Sequence, residues 1–236
     1  MQSRLHKLGW KIIDVLFPPR CAGCGSWGDR YCPTCFENTQ LITGPICQIC
    51  GDLLYHSGEV ICPRCREQRV AYTAVRSWGV FAEPLQSAIH QLKYHQDRGL
   101  GEILAQPLVK LLERYQWKID LIVPVPLDET RRRQRGYNQA ELLAKPISWQ
   151  ASLPYSRQAL VREKITRQQV GLSLSEREEN MADAFWGNRK LAAGKTILVI
   201  DDVVTTGATL NACAQALIDG GAAKVFGLTL ARSSHL

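Results

Sequence analysis

The stretch Ile200-Asp201-Asp202-Val203-Val204-Thr205-Thr206-Gly207-Ala208-Thr209-Leu210 decides the fold of this chain. It follows the apolar, β-branched run 196–200, which is typical of a buried parallel strand. It precedes apolar residues at helical spacing, and this pattern ends at Gly220-Gly221, as expected at the C-terminus of a helix. The stretch therefore links a strand to a helix, and it predicts an α/β fold with a parallel sheet and flanking helices.

The start of the predicted helix is expected to bind a phosphate group. Its first N–H groups have no partner within the helix, and the helix dipole is positive there. Gly207 lets the backbone approach a ligand closely. Asp201 and Asp202 suit sugar hydroxyls or a hydrated Mg²⁺. Further donors are the hydroxyls of Thr205, Thr206 and Thr209. The pattern predicts a site for a phosphorylated ribose. A solvated loop with capping threonines is the alternative, but it leaves the paired acids unexplained.

Eight of the nine cysteines form four Cys-x-x-Cys pairs. Each pair places two thiolates on one side of a tight turn, and two pairs complete the tetrahedral shell of a structural zinc ion. Four pairs therefore predict two zinc ions. Disulfides are the competing interpretation, but the repeated spacing and the lack of a recognisable secretory signal favour metal.

The cysteine pairs are expected to combine in sequence order. This pairing would place one zinc on Cys21, Cys24, Cys32 and Cys35, and the other on Cys47, Cys50, Cys62 and Cys65. A cross-braced arrangement remains open. The ninth cysteine, Cys213, lies on the apolar face of the helix that follows residues 205–209, which we call the phosphate segment. A small core residue is expected there.

Composition and charge predict a folded cytoplasmic protein with anionic partners. The chain has 236 residues and a formal net charge of +7, which suits nucleic acid or a phosphorylated ligand. Residues 1–20 predict a basic amphipathic helix that packs on its own zinc module, with membrane association as the alternative. No stretch is long enough to span a bilayer. We expect a zinc module at 21–70 and an α/β domain at 71–236.

The α/β domain alternates strands and helices. Two helices are expected between Glu83 and Tyr115, with a break at 96–99. A helix is expected over Glu141 to Trp149, interrupted by Pro146. The further predicted strands are Tyr72 to Phe81, Ile119 to Val125, Leu160-Val161 and Val225 to Leu230.

A second basic segment follows the predicted strand that ends at Val125. The run Val123-Pro124-Val125-Pro126-Leu127 leads into a predicted loop that carries Arg131, Arg132, Arg133 and Arg135. Guanidinium groups bind phosphate oxygens as planar forks, so this loop is expected to offset the charge of a pyrophosphate. A solvated basic turn and a nucleic-acid patch are the alternatives.

Residues 200–210 resemble the 5-phosphoribosyl 1-pyrophosphate (PRPP) loop of type I phosphoribosyltransferases. The resemblance implies that the two acids contact the ribose hydroxyls, directly or through metal and water. It also implies that Thr205, Thr206, Gly207, Ala208 and Thr209 hold the 5-phosphate. Purine-salvage members carry an aspartate at the position of Thr205, so the resemblance does not extend to a purine acceptor.

Several other runs resemble the ComF family, in its ComFC- and GntX-like form, over essentially the whole chain. They are Leu92-Lys93-Tyr94-His95, Val123 to Pro126, Arg135 to Leu143, and the spaced residues Thr166, Gln169, Leu172, Arg177 and Asn180. The resemblance implies a cytoplasmic protein with a double zinc ribbon ahead of a phosphoribosyltransferase domain. It also implies binding of PRPP with Mg²⁺ and a role in DNA uptake or utilisation. The implied partners are PRPP, single-stranded DNA and DNA-uptake proteins, and no acceptor is implied.

Site residues are carried over from these resemblances. The expected catalytic residues are Lys93, Arg133, Arg135, Asp201 and Asp202. Val125 and Pro126 are expected to contact PRPP together with the two acids and residues 205–209. The segment from Arg162 to Asn180 is expected to close over the sugar as a mobile loop. His90 and His95 are expected to be surface or helix-packing residues.

Two functional hypotheses follow. In the first, the protein is an enzyme in which Mg²⁺ and the arginine loop stabilise the leaving pyrophosphate while a nucleophile attacks C1 of the ribose. In the second, the fold is a PRPP-sensing module of a protein that binds single-stranded DNA.

Overall fold

The computed structural model describes residues 18–55, 58–95, 97–162 and 185–233. Most of the predicted N-terminal helix and nearly all of the predicted mobile loop lie outside the described residues. No helix within the described ranges has the length and apolar character needed to cross a membrane.

A parallel sheet forms the centre of the molecule. Its strands are β1 (Ala74–Val80), β2 (Leu121–Pro124), β5 (Thr196–Val204) and β6 (Lys224–Arg232), in the order β1-β6-β5-β2. Every neighbouring pair is parallel. The inner strands β5 and β6 are almost wholly buried, because helices and the cysteine clusters cover both faces of the sheet. Strands β3 (Leu160–Arg162) and β4 (Phe185–Gly187) form a separate antiparallel pair.

Eight helices are found in the described parts of the chain. They are α1 (Pro33–Asn38), α2 (Pro63–Glu67), α3 (Leu85–Tyr94), α4 (Arg98–Tyr115), α5 (Glu129–Arg135), α6 (Gln139–Ala151), α7 (Arg189–Ala192) and α8 (Ala208–Asp219). The predicted break near residue 97 is confirmed, because the Asp97 side chain accepts a hydrogen bond from the Leu100 N–H (3.0 Å) and caps α4.

The predicted interruption at Pro146 is wrong, since α6 continues through it. Proline has no N–H for the carbonyl of Leu142, which is left without its bond along the helix. That carbonyl lies against Gly101 of α4, where a Cβ atom would be only 2.8 Å from the oxygen. Close packing of α6 on α4 therefore stabilises a helix that local sequence disfavours.

The predicted arginine loop is also wrong, because these residues form helix α5. The Asp128 carboxylate caps the helix by accepting from the N–H groups of Thr130 (2.9 Å) and Arg131 (3.4 Å). The helix ends at Gly136, whose φ is 75°. No residue of α5 is buried, so apolar periodicity could not reveal it.

The two faces of the sheet carry different helices and different cysteine clusters. Helix α8 covers one face, which we call the α8 face, and the second group of four cysteines shares its core. Helices α3, α4 and α6 cover the other face, which we call the α3 face, and Cys21 and Cys35 of the first group belong to its core. Each cysteine cluster is thus part of a hydrophobic core of the sheet.

Candidate functional site

The predicted phosphate segment lies at the carboxyl end of the central strand β5. Asp201 and Asp202 are the sixth and seventh residues of that strand, and helix α8 begins at Ala208. Thr205 and Thr206 are exposed between them. Gly207 caps the helix with a φ of 84°, a conformation that side chains other than that of glycine adopt only at a cost. The strand, the turn and the helix are thus confirmed.

Both acids are buried at the end of the strand. Asp201 is 8% exposed and Asp202 is 4% exposed. Burial, together with the neighbouring Asp202 charge, raises the pKa of Asp201 well above its usual value. The Asp201 carboxylate also accepts a hydrogen bond from the Asp202 N–H (2.9 Å). A cation beside this pair would relieve the repulsion between the two carboxylates. Two carboxylates with exposed hydroxyls nearby are also a donor set that suits hydrated Mg²⁺.

Lys93 supplies a cation at this position. It lies in the last turn of α3, and its Nζ atom is 2.7 Å from Oδ2 of Asp202. The Lys93 side chain is 25% exposed, so it is only partly shielded from water. The structure therefore brings Lys93 together with the two acids across the α3 face. His90 and His95 of the same region are exposed, and the His90 ring packs on Tyr94 with 4.6 Å between ring centroids.

The run Arg135 to Gln139 joins three elements next to the acids. The Tyr137 hydroxyl donates to the Leu92 carbonyl (2.8 Å) at the end of α3. The Asn138 side-chain amide donates to the Val125 carbonyl (2.9 Å) just after β2, and its oxygen caps α6. Val125 in turn donates its N–H to the Ile200 carbonyl (2.9 Å). These bonds position the segment of Val125 and Pro126 beside β5.

The predicted arginines differ in their surroundings. The Arg135 guanidinium lies over the Tyr94 ring, 4.8 Å from its centroid, and donates to the Gln139 side chain (3.0 Å). It is therefore held against the last turn of α3, which also carries Lys93. Arg133 lies on the exposed side of α5, where it pairs with Glu129 (2.8 Å). The structure brings Arg135 to the neighbourhood of Lys93 and leaves Arg133 on the surface of α5.

A cavity of about 1030 Å³ lies between α5 and β3. It is lined by Pro124, Pro126 and Asn138 at the end of β2 and by four arginines, Arg132, Arg133, Arg157 and Arg162. Its volume is that of a pocket for a sizeable ligand. The four arginines can bind an anion, and three carboxylates, those of Asp128, Glu129 and Glu141, also line the cavity. Sequence reasoning missed Arg157, because a single arginine in the loop between α6 and β3 carries no motif.

The eight paired cysteines form two clusters in sequence order. Within each cluster the four sulfur atoms all lie within 4.8 Å of one another. The Sγ atoms of Cys21 and Cys35 are 3.5 Å apart, those of Cys24 and Cys32 are 3.7 Å apart, and those of Cys50 and Cys62 are 3.6 Å apart. Four thiolates around zinc at about 2.3 Å would be separated by about 3.8 Å. The donor sets fit zinc, and the sequential pairing is confirmed over the cross-brace.

Backbone N–H groups donate hydrogen bonds to a sulfur atom in each cluster. The Cys62 N–H donates to Sγ of Cys47 (3.4 Å), and the Cys32 N–H donates to Sγ of Cys21 (3.3 Å). Burial would raise the pKa of Cys47, but hydrogen bonds from the backbone outweigh it and lower that pKa to about 7. A lowered pKa favours the thiolate that binds zinc. Cys213 is fully buried in α8, as the sequence predicted.

Comparison with known proteins agrees with both parts of this description. Residues 12–68 match the double zinc ribbon domain family, and residues 90–235 match the phosphoribosyl transferase domain family. The chain is 33% identical over 208 residues to the DNA utilization protein YhgH of Escherichia coli (strain K12), covering 85% of this chain and 88% of that protein. It is 32% identical to competence protein F of Haemophilus influenzae, covering 82% and 87%. The chain belongs to the ComF family of phosphoribosyltransferase-domain proteins. Competence protein ComFC of Bacillus subtilis is 28% identical over 95% of the chain.

Solved structures with a similar fold are more distant. The allosteric regulatory enzyme of purine biosynthesis has a TM-score of 0.43 and 16% identity, covering 59% of this chain and 29% of that one. Adenine phosphoribosyltransferase from Thermoanaerobacter pseudethanolicus has a TM-score of 0.37 and 15% identity, covering 58% and 83%. The boundary predicted near residue 70 stays a prediction.

Proposed function

We propose that the chain binds PRPP with Mg²⁺ at the carboxyl end of β5 and transfers its phosphoribosyl group to an acceptor. One observation carries the proposal: a buried acid pair, of which one member is paired with Lys93, lies directly before a glycine-capped helix N-terminus. Carboxylates and a helix N-terminus in this order suit the hydroxyls and the 5-phosphate of one ribose.

The two ends of PRPP would then have separate partners. Residues 205–209 would bind the 5-phosphate through the N–H groups of α8 and the threonine hydroxyls. Asp201 and Asp202 would hold the ribose hydroxyls and the water shell of Mg²⁺, which supplies positive charge to the pyrophosphate when bound. Lys93, Arg135 and Arg133 would contact the pyrophosphate, with Val125 and Pro126 beside it.

Catalysis in this site would rest on positioning and charge. The C1–O bond to pyrophosphate breaks as a bond from C1 to the acceptor forms, and the acceptor loses a proton. Positive charge at Lys93 and Arg135 stabilises the leaving pyrophosphate, while the buried acids hold the sugar still. The arginine-lined cavity beside α5 offers space for an anionic acceptor.

Calorimetry and product analysis test this function in sequence. Titration with PRPP in the presence and absence of Mg²⁺ should show magnesium-dependent binding with one site per chain. Pyrophosphate release is then measured with bases, nucleosides and single-stranded DNA as acceptors. Absence of PRPP binding by zinc-loaded protein would reject the proposal. Binding without release in the presence of any acceptor would favour a sensing role.

We also infer that each cysteine cluster holds a structural zinc ion, because its four sulfur positions suit tetrahedral thiolate coordination and one thiol in each cluster, Cys24 in the first and Cys47 in the second, has a lowered pKa. Elemental analysis of purified protein should find two zinc ions per chain. One zinc per chain with four freely reactive thiols would contradict the assignment.

A second candidate function is binding of single-stranded DNA under control of PRPP. Arginines lie over exposed aromatic rings at two places. The Arg20 guanidinium is 4.2 Å from the Trp27 ring centroid, and Trp27 is 65% exposed; Arg135 lies over Tyr94, which is 56% exposed. Aromatic rings with adjacent cations bind unpaired bases by stacking and phosphate contact. The relatives named for competence and DNA utilisation make DNA the natural polymer to test.

Salt dependence and one matched pair of variants test DNA binding. Affinity for a single-stranded oligonucleotide should fall steeply as salt rises, because phosphate contacts release counterions. Trp27→Ala should weaken binding by about 1–3 kcal/mol, whereas Trp186→Ala, which alters a tryptophan on β4 that is 50% exposed, should not. An affinity that hardly changes with salt would reject the phosphate-contact account.

A further inference from the structure

The second cysteine cluster shares a core with the helix that would bind phosphate. Cys47, Cys50, Cys62 and Cys65 are at most 9% exposed, and they pack in the same core as Val204, Leu210 and Cys213. The turn that ends at Gly51 packs directly on the sheet, because a Cβ atom at Gly51 would lie 2.5 Å from the Val75 carbonyl oxygen. Gly51 also has a φ of 75°. The cluster therefore lies in the body of the domain.

Arg232 connects this cluster to the end of β5. The side chain is 4% exposed and donates a hydrogen bond to the Cys50 carbonyl, with the Asp52 carboxylate 3.9 Å away. On the backbone, Arg232 is paired in the sheet with Val204, the residue just before the phosphate segment. The next N–H, of Ser233, donates to the Val204 carbonyl (2.9 Å). Arg232 thus links the Cys47–Cys50 turn, through its buried guanidinium, to the start of the phosphate segment, through its backbone.

Tyr72 connects the same cluster to the middle of the segment. Its side chain is 5% exposed, and its hydroxyl oxygen would be 3.3 Å from a Cβ atom on Gly207. Tyr72 also packs in the same core as Cys50 and Cys65. Its side chain therefore shares a core with the cluster and reaches the glycine turn.

A third contact reaches the far side of the turn. The Ala71 N–H donates to the side-chain oxygen of Asn211 (2.7 Å) in the first turn of α8. The second cluster is thus connected to both sides of the phosphate segment, to Val204 through Arg232 and to Asn211 through Ala71, while Tyr72 lies close to Gly207 between them. Movement of the cluster would shift the donors of the segment.

The first cluster has different neighbours. Its chain is joined to α4 by the Arg30–Asp97 ion pair (2.8 Å), and to β1 by a hydrogen bond from the Val80 N–H to the Gln40 carbonyl (2.8 Å). Cys24 of this cluster is exposed. These contacts lie on the α3 face, whereas helix α8, which follows the phosphate segment, covers the other face.

We propose that Arg232 and Tyr72 are positioning residues through which the second cysteine cluster holds the phosphate segment in its binding conformation. This proposal rests on the function proposed above. Because coupling between two sites is reciprocal, a ligand on the segment must also hold the metal in the second cluster more tightly, and it leaves the first cluster unaffected.

Zinc release tests this linkage directly. Zinc-loaded full-length protein is mixed with a chromophoric chelator, with and without ribose 5-phosphate. Release should occur in two phases, and the fast phase should be missing in Cys24→Ser, which assigns it to the exposed first cluster. Ribose 5-phosphate should slow the second phase at least about fivefold and leave the first unchanged. The Gly207→Val variant controls for zinc binding by the sugar phosphate itself, and it should show no slowing.

Affinity measurements test the two residues. Tyr72→Phe, which removes only the hydroxyl, and Arg232→Met should each weaken PRPP binding about threefold to tenfold at a temperature well below unfolding. Arg232→Lys should restore part of the loss. Arg30→Met, which breaks the contact of the first cluster with α4, is the matched control and should bind PRPP as the parent does. Zinc content is measured for every variant.

The outcomes separate the two proposals. If the parent does not bind PRPP, the proposed function fails. If the parent binds PRPP but ligand slows both phases equally or neither, or if Tyr72→Phe binds as tightly as the parent, the coupling is overturned. If Arg232→Met does not fold, the release experiment and Tyr72→Phe decide.

Discussion

The two cysteine clusters have the same ligands and similar local geometry, but they lie on opposite faces of the sheet. The first packs on the α3 face and leaves Cys24 exposed, whereas all four cysteines of the second are buried behind helix α8. Two clusters with the same Cys-x-x-Cys motif can therefore differ in how much the rest of the fold depends on them. The motif indicates which metal a cluster binds, and the packing of the cluster determines which other part of the molecule depends on that metal.

Removing one ligand from each cluster should have the largest effect and tests the comparison directly. Cys50→Ser should lower the free energy of unfolding by more than about 4 kcal/mol, because metal binding and core packing are lost together. Cys24→Ser should cost about half of that or less, because the altered position is exposed. Thermal unfolding with zinc analysis measures both. Equal losses would show that the two faces depend on their clusters equally.

Replacing both acids should have the next largest effect. Asp201→Asn with Asp202→Asn should weaken magnesium-dependent PRPP binding by about 2–5 kcal/mol, which is roughly thirtyfold or more. The amides keep the shape and lose the charge that orders Mg²⁺ and the ribose hydroxyls. Asp219→Asn, at the other end of α8, is the control and should bind normally. Unchanged binding by the double variant, with zinc retained, would show that this end of β5 is not the PRPP site.

A pair of glycine variants separates backbone strain from phosphate binding. Gly207 and Gly194 both have positive φ, 84° and 72°, and Gly194 has no atom within 4 Å of a Cβ position. Valine at either position should cost about 1–2 kcal/mol of stability. Only Gly207→Val should also weaken PRPP binding, measured by calorimetry. If Gly194→Val weakened it as much, strain transmitted through the α8 face would be the cause.

The smallest predicted effect concerns the unliganded protein and distinguishes the two acids. Burial and the Asp202 charge raise the pKa of Asp201, so the folded state keeps this proton to a higher pH than the unfolded state does. Stability is therefore lost as the pH rises through the folded pKa. Asp201→Asn should stabilise the protein by about 1 kcal/mol at alkaline pH, with a gain that disappears in acid.

Asp202→Asn should have the opposite effect and lower the stability of the unliganded protein, because it breaks the ion pair with Lys93. Thermal unfolding across a range of pH compares the two variants without ligand. A loss of stability in Asp201→Asn at alkaline pH would contradict the account of a buried, repelled carboxylate.

Much of this molecule could be predicted from local sequence. The apolar run before Asp201, the glycine after Thr206 and the helical spacing after Ala208 predict a strand, a turn and a helix, and the structure has them at these positions. Four Cys-x-x-Cys pairs likewise predict two clusters. These features depend on residues within a few positions of one another, so their geometry is encoded by spacing alone.

The errors occurred where tertiary contacts or a cap outweigh local preference. Helix α6 continues through Pro146 because the Leu142 carbonyl, which has no N–H partner at Pro146, packs against Gly101. Helix α5 forms because Asp128 caps a run of arginines that shows no apolar period. The roles of the predicted site residues and the position of the domain boundary remain predictions.

The strand, turn and helix of the candidate site and the two groups of four cysteines follow from local sequence, because each is encoded by neighbours along the chain. Only the tertiary structure decided that Lys93 contacts Asp202, and that the second cluster lies behind the phosphate segment through Arg232 and Tyr72. These contacts join residues about one hundred or more positions apart, such as Cys50 and Arg232 at a separation of 182. Their physical cause is the packing of layers on both faces of one parallel sheet, which no local pattern records.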